Sequence, residues 1–287
     1  MDIEPSYHFD HFADADRAAE LRRLQQQATV MLDAELAQLQ VLGFGHGKRI
    51  LELGCGPGFL TGPLSDLAGP AGGVGIDMST ELLAAANAIV KPAHANVEFV
   101  EGNAYATGLP KHSFDYLYSR LVFQHLSRPL DALLEARRIV RPGGRIVLSD
   151  VDDAFLVLEP CPSAFRTLTA RAIEAQAAHG GDRHIARKLP GLMRSAGLQD
   201  VRLHGLTVTS LDVGLAAFLE ITTRFKAIQV GDAEALAMAT ELAALAELPL
   251  DKQPFGMVVA FFVTGDVPLA DGTPAPSRVS LHPGGTR

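Results

Sequence analysis

The stretch Arg49-Ile-Leu-Glu-Leu-Gly-Cys-Gly-Pro-Gly-Phe-Leu-Thr61 constrains the fold more than any other part of the chain. Ile50, Leu51 and Leu53 form a short apolar run that suits a buried parallel strand, and Gly54, Gly56 and Gly58 interrupt it at alternate positions. Glycine admits positive φ and lets backbone approach a ligand. The helix expected from Phe59 onward presents unpaired N–H groups above the loop. A strand that runs into such a loop is a cofactor cradle.

The dinucleotide fingerprint G-x-G-x-x-G, counted from Gly54, needs a glycine at position 59, where Phe59 stands. Pro57 lacks the N–H a pyrophosphate would take, and the Glu52 carboxylate below the loop repels a diphosphate while attracting a cation. The loop is built for positive charge, and a nicotinamide cofactor is disfavoured.

Glu52-Leu-Gly54-Cys-Gly56-Pro-Gly58 resembles the E-x-G-x-G-x-G first motif of the class I S-adenosylmethionine-dependent methyltransferases. In that family the loop wraps the methionine end of a cofactor carrying a sulfonium and an amino group. Further stations follow in order. Val74-Gly-Ile-Asp77-Met78 is similar to the second-strand motif, which implies that Asp77 accepts from the ribose hydroxyls and Met78 packs on adenine. Val97-Glu-Phe-Val-Glu-Gly-Asn103-Ala104 resembles the adenine-reading corner. Asn103 replaces a commoner aspartate there, and its carbonyl accepts the same bond with less charge assistance. Ser113 to His125 resembles the strand and loop beside the methyl-transfer site, which implies that the Arg120 main chain borders the methionine end. Arg141-Pro-Gly143-Gly144 through Asp150 resembles the turn and strand that follow. The likeness spans residues 48–150. It implies a doubly wound α/β fold with a mostly parallel seven-stranded sheet and S-adenosylmethionine as cofactor.

Short apolar strands alternating with helices predict the same parallel sheet without the resemblance, and Gly54, Asp77, Asn103, Arg120 and Asp150 all fall at carboxyl ends of its strands. Residues 1–47 read as an N-terminal helical lid. On its helix Leu21, Leu24, Ala28, Met31, Leu32, Leu36 and Leu39 share one face, while Arg17, Glu20, Arg23 and Gln27 point elsewhere. Residues 48–150 form the cofactor core and 151–200 a helical insertion over the active site, with Ser163 to Ala178 enclosing a small acceptor. Residues 201–266 complete the sheet, and 267–287, rich in proline and glycine, read as a flexible tail. The added apolar helices serve equally well to shield the sheet or to pair two copies in a homodimer.

A formal charge of −8 with scattered basic residues argues against nucleic acid as a partner. Two cysteines give no disulfide framework, and neither a signal peptide nor a membrane-spanning run is found, so a cytoplasmic protein that does not contact a membrane is expected.

Methyl transfer from a sulfonium is an in-line displacement, so a base is needed only when the acceptor must lose a proton of high pKa. His125, after the fourth strand, is the first candidate; Tyr7, with His8 and His11, is the rival. The acidic group from Asp150 to Asp153 offers capping, solvation or a grip on a cationic acceptor, and no His/Asp spacing demands a metal. The expected function is methyl transfer to an O, N or C atom of a small molecule. The alternative is a chain that keeps this fold for cyclisation or regulatory binding.

Overall fold

The structure, a computed structural model, describes Phe9 and residues 14–269, with side chains from Arg17 onward apart from Phe9. Tyr7, His8, His11 and most of the expected tail lie outside the described residues.

Helix α1 (Asp14–Val41) leads into β1 (Ile50–Leu53), α2 (Thr61–Ala68), β2 (Gly73–Asp77), α3 (Thr80–Ile89) and β3 (Val97–Glu101). After these come β4 (Phe114–Arg120), α4 (Pro129–Ile139), β5 (Val140–Val151), β6 (Val157–Glu159), α5 (Ser163–Ala178) and α6 (Leu189–Ser195). The chain continues through β7 (Gln199–Thr209), α7 (Ser210–Val213), α8 (Leu215–Leu219), α9 (Phe225–Val230), α10 (Ala233–Ala243) and β8 (Phe255–Asp266). The strands lie in the order β3-β2-β1-β4-β5-β8, with β7 on the outer edge of β8 and β6 extending the β5 side. β1 to β5 are parallel; β8 runs antiparallel to β5, β6 and β7. Strand order reverses between β1 and β4, where doubly wound sheets bind ligands at their carboxyl rim. Three-residue β6 makes eight strands, one more than expected.

All four β1 residues are buried, because helices cover both faces of the sheet. Leu51, Leu53 and Ile76 pack with Leu133 and Ile139 on one face; Ile50, Tyr116 and Phe262 pack with Leu39 and Leu64 on the other. A separate cluster joins α5 to α8, α9 and α10 through Phe165, Leu168, Phe218 and Ala227.

Two elements shape the site. In α1, Leu39 docks on the sheet, and Glu20 and Arg23, which lie off the expected apolar face, are nevertheless buried. The helical stretch over residues 210–230 breaks at Gly214 and passes through a π-helical turn, Glu220–Arg224, before α9. Gly214 sits at φ 82°, and the Thr222 and Thr223 hydroxyls donate to the carbonyls of Phe218 and Leu219 four residues back. Such back-bonding and wide turns shift the helical register, here just before Phe225 and Lys226.

Candidate active site

A cavity of about 870 Å³ opens along the carboxyl rim, and the loops after β1 to β4, strands β5 and β8, helix α1 and the π turn with α9 all contribute to its wall. Along the sheet, one side of this wall comes from β3, β2 and β1; the other comes from β5 and β8.

On the first side the glycine loop does the shaping. Gly56 adopts φ 52° and its N–H donates to Asp77 Oδ2 at 2.7 Å, while Asp77 Oδ1 accepts from Ser79 N–H at 2.9 Å. A side chain on Gly56 would meet nothing nearer than Leu82 at 3.9 Å and would project into the cavity, so its absence leaves the backbone open to a ligand. Gly58 has a different job from the one expected: it is not part of the wall. A Cβ there would come within 2.4 Å of the Phe99 ring, so this glycine lets the loop pack on β3.

Glu52, Gly54, Asp77, Met78, Asn103, Ala104 and Arg120 all line the cavity, together with Glu35 from α1. Asn103 Oδ1 already accepts from Tyr105 N–H at 2.9 Å, which fixes the corner. The Arg120 side chain, not only its main chain, matters: it donates to the Gln27 carbonyl at 2.8 Å and approaches Glu35 at 3.4 Å, tying α1 to β4. Tyr118 donates to the other Glu35 oxygen. Burial pushes the Glu52 carboxyl up to about 8, although the Thr61 hydroxyl donates to it. The carboxyl groups of Glu35, Glu52 and Asp77 gather on this side around the Arg120 guanidinium, and a cationic nucleoside would favour the ionised form of Glu52.

The opposite side is basic. Arg23, Arg183 and Lys226 reach it from α1, the loop before α6, and α9. The Phe225 ring has the Arg23 guanidinium at 5.0 Å, that of Arg183 at 5.8 Å, and the edge of His125 at 5.9 Å. Arg23 is paired with Glu20 at 2.6 Å. Arg183 and Lys226 share one carboxylate oxygen of Asp153, at 3.5 and 3.2 Å. Burial lowers Lys226 to about 8, with Asp153 pulling the other way. Burial and then the charges of Arg183 and Arg23 push His125 down to about 3, so its imidazole is neutral.

The acidic group is buried rather than solvated, and it is divided between tasks. Asp150, raised by burial to about 7, accepts from Gln124 N–H and holds the turn that carries His125. Asp152 caps Ala154 N–H and pairs with His184 and Arg187, away from the wall. Only Asp153 of the three faces the cavity. Among the described residues no group of His, Cys, Asp and Glu could hold a metal. Helix α5, expected to enclose the acceptor, contributes nothing to the wall; it packs behind α9 and α10, because its apolar face is used up in that cluster.

Sequence reasoning missed Glu35, Arg183, Phe225 and Lys226 as site residues. Lys226 had left a trace: Leu215, Leu219 and Thr223 mark a helical stripe on which it is the next member, a lysine where the pattern asks for an apolar residue.

This sheet order, with a glycine loop and acidic rim at its switch point, defines an α/β protein of the methyltransferase fold. Residues 51–148 match the family described as a methyltransferase domain. Residues 51–148 thus carry a methyltransferase domain, and the chain is similar there to the class I S-adenosylmethionine-dependent methyltransferases. An uncharacterized 37.1 kDa protein of transposon TN4556 from Streptomyces fradiae is 33% identical over 190 residues, 66% of this chain and 52% of that one. A demethylmenaquinone methyltransferase of Lactococcus lactis is 41% identical over 103 residues, 35% of this chain and 41% of that enzyme. The chain thus spans about half the length of these curated relatives. Haemonchus contortus phosphoethanolamine N-methyltransferase 2, solved with phosphomonomethylethanolamine and S-adenosylhomocysteine, superposes with a TM-score of 0.59 over 91% of this chain and 60% of its own. At 17% identity that likeness concerns the fold alone. The family's cofactor is S-adenosylmethionine, and the acidic rim fits it.

Proposed function

We propose that this chain transfers a methyl group from S-adenosylmethionine to an O, N or C atom of a small-molecule acceptor. One observation carries the reading: a single cavity of about 870 Å³ has the glycine-loop rim on one side and a second, differently charged wall on the other. That size is near the top of the roughly 300–1,000 Å³ range of small-molecule sites, enough for a nucleoside and an acceptor together.

In this reading Asp77 accepts from ribose, Glu52 faces the cationic methionine end, the backbone at Gly54 and Gly56 lies along it, and Met78, Asn103 and Ala104 border the base. The cofactor supplies an electrophilic methyl carbon on a sulfonium. The chain's own contribution is to orient the acceptor and exclude water, with α1 tied over the site through the Arg120 contact to Gln27. His125 takes no proton here, because a group at about 3 is far too weak a base near neutral pH; it shapes the wall beside Phe225. Tyr7 remains a candidate.

Calorimetric titration with S-adenosylmethionine, followed by detection of S-adenosylhomocysteine with candidate acceptors, tests the reading. Asp77→Ala should weaken cofactor binding roughly tenfold to a hundredfold, the worth of charge-assisted hydrogen bonds. Unchanged affinity in the variant would overturn the site assignment. Binding without product formation across acceptors would favour cyclisation or a regulatory role.

A further inference from the structure

The basic wall carries more cationic donors than it satisfies. Lys226 and Arg183 each have side chains only 4% exposed, yet both lean on the one Asp153 oxygen. Lys226 Nζ makes no hydrogen bond of good geometry, and Arg183 Nε has no partner among the described residues. The other terminal nitrogen of Arg183 donates to Gln229 Oε1. A lysine brings three donors and an arginine five, so several N–H groups are left over in a place from which water is largely excluded. Buried charges are costly unless paired, and a wall with two cations per carboxylate lacks an anion.

The neighbouring groups do not supply one. Asp150 attracts Arg183 only more weakly than Asp153 does and spends its oxygens on the main-chain N–H groups of Gln124 and Val151, Glu20 pairs with Arg23, and His125 is an imidazole. Asp152 is engaged by His184 and Arg187 outside the cavity. The same cavity wall carries the apolar side chains Leu156, Ile221, Phe225 and Phe262 as well as the polar Thr222 and Gln124.

We propose that the acceptor is an apolar organic acid whose anionic oxygen group is held by the Lys226 ammonium and the Arg183 guanidinium beside Phe225. This rests on the methyltransferase reading of the cavity and adds the chemical class of its second ligand. The arrangement puts the cofactor's cation against the acidic rim and the acceptor's anion against the basic wall. A neutral analogue leaves both donors unpaired and pays their desolvation.

The test uses protein saturated with S-adenosylhomocysteine, whose own binding is measured first. Failure at that stage counts against the methyltransferase reading. The probes are then 2-naphthoate and 2-naphthyl phosphate, with 2-naphthamide as the neutral counterpart, titrated by calorimetry near neutral pH, where Lys226 is charged. The expected result is at least one anion binding about tenfold or more tighter than the amide, with the discrimination lost in Lys226→Met. Which anion is preferred identifies carboxylate or phosphate as the group held. S-adenosylhomocysteine affinity serves as the check that the variant is folded. Should Lys226→Met not fold, the wild-type comparison decides alone. No probe bound, equal binding of acids and amide, or discrimination that survives in the variant would each overturn the proposal while leaving cofactor binding intact.

Discussion

The two sides of the cavity solve opposite problems by different means. The glycine-loop side is made mostly of backbone, from residues close together between Glu52 and Ala104, and its Asp77 carboxylate is satisfied by Gly56 and Ser79 before any ligand arrives. The side around Phe225 is made of long side chains from residues as far apart as Arg23 and Lys226, and two of its cations, Arg183 and Lys226, lean on the same Asp153 oxygen. Preorganised backbone tolerates the loss of a side chain; a buried ionic cluster does not. Stability should therefore be concentrated on the basic side, even though the cofactor is held on the other.

The strongest way to break that comparison is to remove one carboxylate from each side. Asp153→Ala strands Arg183 and Lys226 in a buried setting, and removing one partner of a buried pair costs about 3–5 kcal/mol. Asp77→Ala gives up hydrogen bonds to Gly56 and Ser79 N–H groups at a more open site, for about 1–2 kcal/mol. Urea denaturation of the two variants measures the difference, and equal losses would show that the sides do not differ in this respect.

A pH titration sharpens the comparison at intermediate size. Glu52, raised by burial to about 8, is protonated at neutral pH in the free protein, and a bound cation favours its ionised form. Binding then releases a proton, so affinity for S-adenosylmethionine rises with pH, by at most about tenfold per unit, and levels off above about 8. Glu52→Gln removes the titrating group and should flatten this rise. Calorimetry of both proteins between pH 6 and 8.5 separates the Glu52 effect from ionisation of the cofactor's own amino group, and parallel profiles would remove Glu52 from the binding step.

These differences also explain what the sequence made legible. The parallel sheet and its rim follow from short-range patterns: apolar strand, glycines, strand-terminal acid. Each is satisfied within a few residues or by the neighbouring strand, so Gly54, Asp77, Asn103 and Arg120 could be placed at one rim in advance, whereas Asp150, placed there too, turns to the Gln124 main chain instead. Gly58 shows the boundary of that approach, since the motif position is the same whether the missing side chain makes room for a ligand or for Phe99. The basic wall depends on where distant segments meet. Nothing near Asp153 in the chain announces Arg183 or Lys226, and the π turn that precedes Phe225 arises from threonines that read as ordinary helix residues. Arg23 looked solvent-exposed because helical periodicity separates polar from apolar faces; it does not say that a polar face will border a cavity.

The smallest expected effect concerns His125, which stands on the basic side without taking its charge. Its imidazole is held neutral by burial and by Arg183 and Arg23, so it has no proton to lose in the physiological range, and at about 3 it has little tendency to gain one. Loss of a working general base costs about a hundredfold to ten-thousandfold in rate. His125→Asn should cost less than about tenfold in kcat, reflecting only the lost edge contact with Phe225, worth about 0.5–1.5 kcal/mol. The discriminating readout is the pH profile of kcat/KM with an accepted substrate: wild type and variant should share the same limbs. A limb near neutrality that disappears with His125 would mean that substrate binding restores its basicity, and the neutral-wall account of this histidine would fall.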